Sequence, residues 1–126
     1  MGAHPWARGA WGSRQVSEMI CYPSDKVYFP VSKIQNYLLM PGSKHYSEFH
    51  AVGFNPLNGF ELFKQIESQF DKKKAEGYRY DTDAISYSII MILGLKTNRA
   101  PFLTAWQEDR LSPLPRFITA HRVAKE

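Results

Sequence analysis

The sequence predicts an α+β fold, with about three N-terminal helices packed on one face of a C-terminal antiparallel sheet. Three observations carry that expectation. Between residues 32 and 75 the apolar side chains recur at helical spacing, and after Gly77 they alternate. The last two alternating segments are joined by a charged loop with prolines around it, which makes them a hairpin with antiparallel pairing. At 126 residues, 44% hydrophobic and 14% aromatic, the chain supports a single domain with one bulky core.

Residues 1–25 read as a flexible leader or linker, and residues 26–126 as the domain. The leader is rich in Gly, Ala and Trp, including Trp6 and Trp11, and has neither helical nor strand periodicity. Tyr22-Pro23-Ser24-Asp25 is a turn signal, and Lys26–Pro30 is short and extended because Pro30 turns its predecessor away from helix. Ser32 with Gln35 forms a capping box that opens a helix over 32–40, with Ile34, Tyr37 and Leu38 on its core face and Pro41-Gly42 as its stop. Ser43 heads a second short helix over 43–52, with Tyr46, Phe49 and Val52 as its stripe and Gly53 as its end. On this helix His45 and Glu48 are neighbours on a face that avoids the stripe. Asn58 caps the longest helix, 59–75, with Glu61 completing the box. Its core side is Leu62, Phe63, Ile66 and Phe70, and Asp71–Lys74 is its solvated end.

Tyr78-Arg79-Tyr80 reads as a short strand or a loop. Residues 83–93 form a long strand with Ile85, Tyr87, Ile89 and Met91 on one face. Ser86, Ser88, Ile90 and Ile92 lie on the other, as for a central strand with two apolar sides. The next strand, 101–107, sets Phe102, Thr104 and Trp106 against Leu103, Ala105 and Gln107. The last, 115–123, sets Phe117, Thr119, His121 and Val123 against Arg116, Ile118, Ala120 and Arg122. The sheet face away from the helices, near Ser86, Thr104 or Thr119, is expected to be open.

Composition narrows the function classes. Lys and Arg exceed Asp and Glu to give a net charge of +4, which permits an anionic partner without requiring one. Cys21 is the single cysteine, so there is no internal disulfide and no Cys/His zinc spacing. No run is apolar enough for a signal peptide or a membrane span, so the chain reads as cytoplasmic with no membrane partner. There is no phosphate-binding or dinucleotide glycine motif, and no His pair four residues apart. No cofactor and no metal are expected.

The remaining polar groups suit metal-independent RNA cleavage. That reaction needs a base for the 2′-hydroxyl proton, cations for the crowded phosphate and a donor for the leaving oxygen. Histidine fits base and donor because it titrates near neutrality, and arginine fits the phosphate through its forked donors. His45, His121, Arg116, Arg122, Lys44 and Thr119 are the candidates. Each also has a plainer role: His45 as a surface helix residue, Arg116 and Arg122 as solvated edge residues, Thr119 as a strand former.

From about Lys33 onward the chain resembles a family of uncharacterised bacterial and phage-associated domains. The resemblance rests on Tyr37-Leu38-Leu39-Met40-Pro41-Gly42, on Lys44-His45, and on Phe49-His50-Ala51-Val52-Gly53-Phe54. Gln69-Phe70-Asp71, Leu93-Gly94, Thr104-Ala105-Trp106-Gln107 and the run from Pro115 to His121 continue it. Those domains look like the small toxin-type ribonucleases of the barnase–EndoU–colicin–RelE group, which put helices before a twisted antiparallel sheet. The resemblance implies a site drawing on His45, Thr104, Arg116, Thr119 and His121. The expected assignment is catalytic for His45, Arg116, Thr119 and His121, and substrate-binding for Lys44, Thr104, Trp106 and Arg122. The expected function is a metal-independent endoribonuclease, the toxin module of a toxin–immunity or phage-linked system, with RNA and a cognate immunity or antitoxin protein as partners. The alternatives are a non-catalytic protein-binding module using the same sheet face, and an RNA-binding module without chemistry.

Overall fold

The computed structural model of the protein describes residues 20–110 and 114–124. The leader expected over residues 1–25 therefore lies outside the described residues as far as residue 19. From Ile20 on, the chain belongs to the domain. Cys21 bridges to Pro30, the Tyr22 amide donates to Phe29 O, and the Tyr22 ring stacks on Phe63 at 4.6 Å. Its hydroxyl is pushed above the usual phenol range by burial.

The first helix, α1, begins as one α turn at Val31–Lys33 and widens into a π turn at Ile34–Leu38. The capping box expected at Ser32 does not form, because the helix starts earlier, directly after Pro30 and without a side-chain cap. The second helix, α2, is Tyr46–Ala51, and Ser43 does not cap it; the Ser43 hydroxyl instead donates back to the Tyr37 carbonyl. Asn55 and Asn58 form a capping box around a 3₁₀ turn at Pro56–Asn58, which leads into α3, Gly59–Gln69. That helix is shorter than its pattern predicts. Phe70 leaves it in an extended conformation, and the Asp71 side chain caps a separate 3₁₀ turn at Lys72–Lys74.

Four strands follow: β1 Glu76–Tyr80, β2 Ala84–Leu93, β3 Ala100–Asp109 and β4 Arg116–Arg122. They pair antiparallel in the order β1-β2-β3-β4, so the sheet is a meander behind the helices and the fold is α+β. The helices cover one face. Tyr87, Ile89 and Met91 of β2 and Phe102, Thr104 and Trp106 of β3 are buried there with Phe49, Leu62, Phe63 and Ile66 of the helices. Phe49 stacks on Phe102 at 4.6 Å, and Phe29 stacks on Phe117 at 4.2 Å.

One irregularity decides which residues face outward. Ala105 pairs with Thr119 but Trp106 pairs with Phe117, so Ile118 is an extra residue on β4. This bulge reverses the alternation within the strand. Phe117 and Ala120 both enter the core, fully buried. Thr119 and His121 pair with Ala105 and Leu103 and share the outer face with them. The sequence expectation that Phe117 shares a face with Thr119 and His121, and Ala120 the other, is corrected by this one residue.

Among the described residues no helix is long and apolar enough to cross a membrane.

Candidate functional site

β4 is the last strand of the sheet, and its outer edge is only partly paired. Tyr28 bridges to Arg116 at one end. Near the other end the backbone N–H of Arg122 donates to Glu48 Oε1 at 3.0 Å. The α1–α2 region therefore closes on the edge of β4, and five polar side chains meet where it does.

The rings of His45, just before α2, and His121, on β4, lie 5.7 Å apart between centres and 30° from parallel. The Tyr37 ring meets His45 edge-on at 6.3 Å. The Thr119 hydroxyl donates to the Tyr37 hydroxyl at 3.2 Å. Glu48 Oε1 stands 3.1 Å from His45 Nδ1, and His121 Nδ1 donates to the Arg122 carbonyl at 3.2 Å. Both Nδ1 atoms face oxygen acceptors, an arrangement that favours the Nδ1–H tautomer of each ring and leaves Nε2 as its other nitrogen. The local sequence explains each placement. Residues i and i+3 share a helical face, which puts Glu48 beside His45. The π turn adds a residue to α1, and wide turns of this kind re-aim side chains, here Tyr37.

Of the residues the sequence singles out, His45, Thr119 and His121 come together. Lys44 is exposed next to His45, and Arg122 follows His121 with its backbone engaged on both sides. Thr104 and Trp106 do not take part, and their expected contact with substrate is corrected. Both are fully buried on the helix side of the sheet. The Thr104 hydroxyl donates to Ile89 O at 2.8 Å and accepts the Trp106 indole N–H at 2.7 Å, so each satisfies the other inside the core. Arg116 shares the outer face with Thr119 and His121 but starts the strand that His121 nearly ends. Its guanidinium lies 3.6 Å from Asp109 and 5.8 Å from the centre of the Tyr28 ring. Those contacts engage the guanidinium at the start of the strand, and among the described residues no contact joins it to the imidazole pair.

Tyr37 and Glu48 do not stand out in the sequence as site residues. The helical pattern reads Tyr37 as a core position, and only its spacing from His45 marks Glu48. Among the described residues no three His, Cys, Asp or Glu side chains are arranged to hold a metal.

Chemically, the cluster joins two imidazoles, a phenol, a hydroxyl and a carboxylate at a half-exposed sheet edge. It can take a proton with one group while another delivers one. Comparison with protein-family models, curated proteins and solved structures finds no match.

Proposed function

We propose that the protein is a metal-independent endoribonuclease, the toxin module of a toxin–immunity or phage-linked system. The observation that supports this most is the stacked pair His45–His121, 5.7 Å apart, beside the Tyr37–Thr119 hydrogen bond. In this reading one neutral imidazole removes the 2′-hydroxyl proton of RNA. The oxygen so released attacks the neighbouring phosphorus, and the bond to the 5′-oxygen of the next nucleotide breaks. The other imidazole, protonated, gives its proton to that leaving oxygen. The products are a 2′,3′-cyclic phosphate and a free 5′-hydroxyl, and no water or metal is consumed. Lys44 and Arg122 supply positive charge at the two flanks, and Thr119 with Tyr37 orients the phosphate.

The test is incubation of total RNA with the purified chain in excess chelator, beside His45→Ala and His121→Ala. Wild type is expected to cleave, leaving cyclic phosphate ends. Each variant is expected to lose roughly 10²-fold or more in rate, the scale of general acid–base catalysis. The double variant should be little slower than the worse single one, since the two act as a unit. Cleavage unchanged in both variants removes the site.

A second reading, a non-catalytic protein-binding module, is favoured by the outer sheet face. Ile90 and Ile92 are 43% and 46% exposed there, next to Leu103 and Pro101 on β3. A wild type that neither cleaves RNA nor is toxic on expression selects this reading.

A further inference from the structure

Beside the imidazole pair, the outer face of the sheet carries a cleft that no step above uses. It has a volume of about 240 Å³ and is lined by Arg79, Ser86, Ser88, Ala105, Gln107 and Ile118. The register explains its shape. Arg79, Ser86, Gln107 and Arg116 stand in one row across the four strands. The next row runs through Ser88, Ala105 and Thr119. Small side chains at Ser86, Ser88 and Ala105 lower the surface between taller neighbours. The bulge residue Ile118 forms a wall, and the row ends on Thr119, one of the residues at the imidazole pair. Neighbouring side chains in such a row are about 5 Å apart, so a group lying over Ala105 is next to Thr119.

The polar lining is unspent. Among the described residues the side chains of Arg79, Ser86, Ser88 and Gln107 make no hydrogen bond or ion pair with the protein. A cationic fork, two hydroxyls and an amide therefore face one shallow, partly apolar floor.

We infer that this trough is a nucleotide subsite, taking the base next to the phosphate held at His45 and His121. Ala105 would give the flat apolar floor a base needs, with the Ile118 wall against its edge. Gln107 and the serines offer both donors and acceptors to its edge, as amide and hydroxyl side chains do for bases in general. Arg79, at the far end of its row, meets the following phosphate. The choice of a nucleotide as occupant rests on the ribonuclease reading; the open cleft and its unspent polar groups do not.

The experiment uses the full chain and a 2′-O-methyl oligoribonucleotide, which binds as RNA but cannot be cleaved. Amide signals of Ser86, Ser88, Ala105 and Gln107 are followed by NMR during titration. They are expected to shift together. Ala105→Leu, which fills the floor from the solvent side, should weaken binding by about 10-fold or more, as steric changes in a pocket do. Ser88→Val is the second filling variant, for the case in which leucine disturbs the strands. Shifts confined to the surroundings of His45 and His121, or affinity unchanged in both filled variants, overturn the subsite even if wild type cleaves RNA. Trough shifts lost in the filled variants support it even if wild type proves unable to cleave, an outcome that defeats only the ribonuclease reading.

Discussion

Glu48 Oε1 accepts the backbone N–H of Arg122 at 3.0 Å and stands 3.1 Å from His45 Nδ1. One carboxylate oxygen thus ties α2 to the edge of β4 and faces the helix imidazole at the point where that ring meets its partner. The two jobs are separable. Holding the strand needs only an acceptor of the right length, whereas the negative charge makes that oxygen a stronger acceptor for Nδ1 than a neutral amide would be.

Glu48→Gln retains the acceptor and removes the charge. It is expected to change stability by less than about 1 kcal/mol, since one hydrogen bond is kept. The proton on His45 should shift partly to Nε2, visible in the imidazole nitrogen chemical shifts, and RNA cleavage should fall by about 10-fold. Glu48→Ala also leaves the Arg122 N–H without its partner and is expected to cost a further ~1–3 kcal/mol in urea denaturation. Imidazole shifts identical in wild type and Glu48→Gln would confine Glu48 to holding the edge.

A second device substitutes for sheet pairing. β1 pairs with β2 only from Ile85 to Ser88, which leaves the far half of that β2 edge without a strand. Gln65 and Gln69, one turn apart on α3, cover it. The Gln69 amide donates to Ile92 O at 2.7 Å and accepts from Ile92 N at 2.8 Å; Gln65 does the same with Gly94 at 2.8 and 3.0 Å. Each side-chain amide copies a peptide group. The Gln69 bonds are exposed, so water can replace them, and Gln69→Ala is expected to cost only about 0.5–1.5 kcal/mol. Gln65 is partly buried, and Gln65→Ala should cost more, about 1–3 kcal/mol. Faster hydrogen exchange at the Gly94 amide in that variant is the local check. Equal losses for the two variants would contradict the solvent argument.

The glycines at 42 and 94 separate backbone conformation from space. Gly42 has φ +92°, with nothing within 4 Å of where a Cβ would sit. Gly94 has φ +150°, and a Cβ there would collide with the Asn98 carbonyl and the Arg99 Cα. Gly42→Ala should therefore cost only the left-handed penalty, about 1–2 kcal/mol. Gly94→Ala adds a backbone clash in the β2–β3 turn and is expected to exceed ~3 kcal/mol, read as a fall in the denaturation midpoint. Similar midpoints for the two variants would show that the turn relaxes.

Much of this architecture is written in the local pattern. The alternation of Tyr87, Ile89 and Met91, and of Phe102, Thr104 and Trp106, identifies core faces because each strand there is regular. Thr104 illustrates the limit of reading chemistry from residue type. Its place between Phe102 and Trp106 puts it in the core, where its hydroxyl is consumed by Ile89 and the Trp106 indole. The bulge at Ile118 is harder to read, because Phe117 and Ile118 are both apolar and either suits the core. The π turn that delivers Tyr37 has no pattern of its own. The meeting of His45 with His121 depends on how the α1–α2 region closes on an edge strand, a tertiary fact that no local period encodes.

The hydroxyl of Tyr87 donates to Glu108 Oε2 at 2.5 Å, while Lys72 Nζ contacts Glu108 Oε1 at 3.0 Å. Burial first, and then the adjacent carboxylate, push the Tyr87 phenol well above its usual range. Burial alone would raise Glu108, but the Tyr87 hydroxyl and the Lys72 ammonium outweigh it and hold the carboxyl below its usual range. Two linkages of opposite sign follow. The lowered Glu108 contributes stability above its unfolded pKa of about 4.3, and that stability is lost as pH falls through the lower folded value. The raised Tyr87 contributes stability below its unfolded pKa of about 10, and that stability is lost as pH climbs beyond it toward the folded value. Tyr87→Phe removes the hydroxyl while leaving the buried ring. It should cost about 1.5–3 kcal/mol near neutral pH, the scale for a hydrogen bond to a charged group. In urea denaturation across pH, the gap between wild type and variant should be widest between about pH 5 and 9, begin to narrow below the unfolded carboxyl's pKa of about 4.3, and close as pH falls through the lower folded value of Glu108. Above about pH 10 wild type should lose stability faster than the variant, because only its unfolded chain releases the Tyr87 proton freely. A gap that stays constant from acid to alkali would mean that the pair carries no charge-assisted bond.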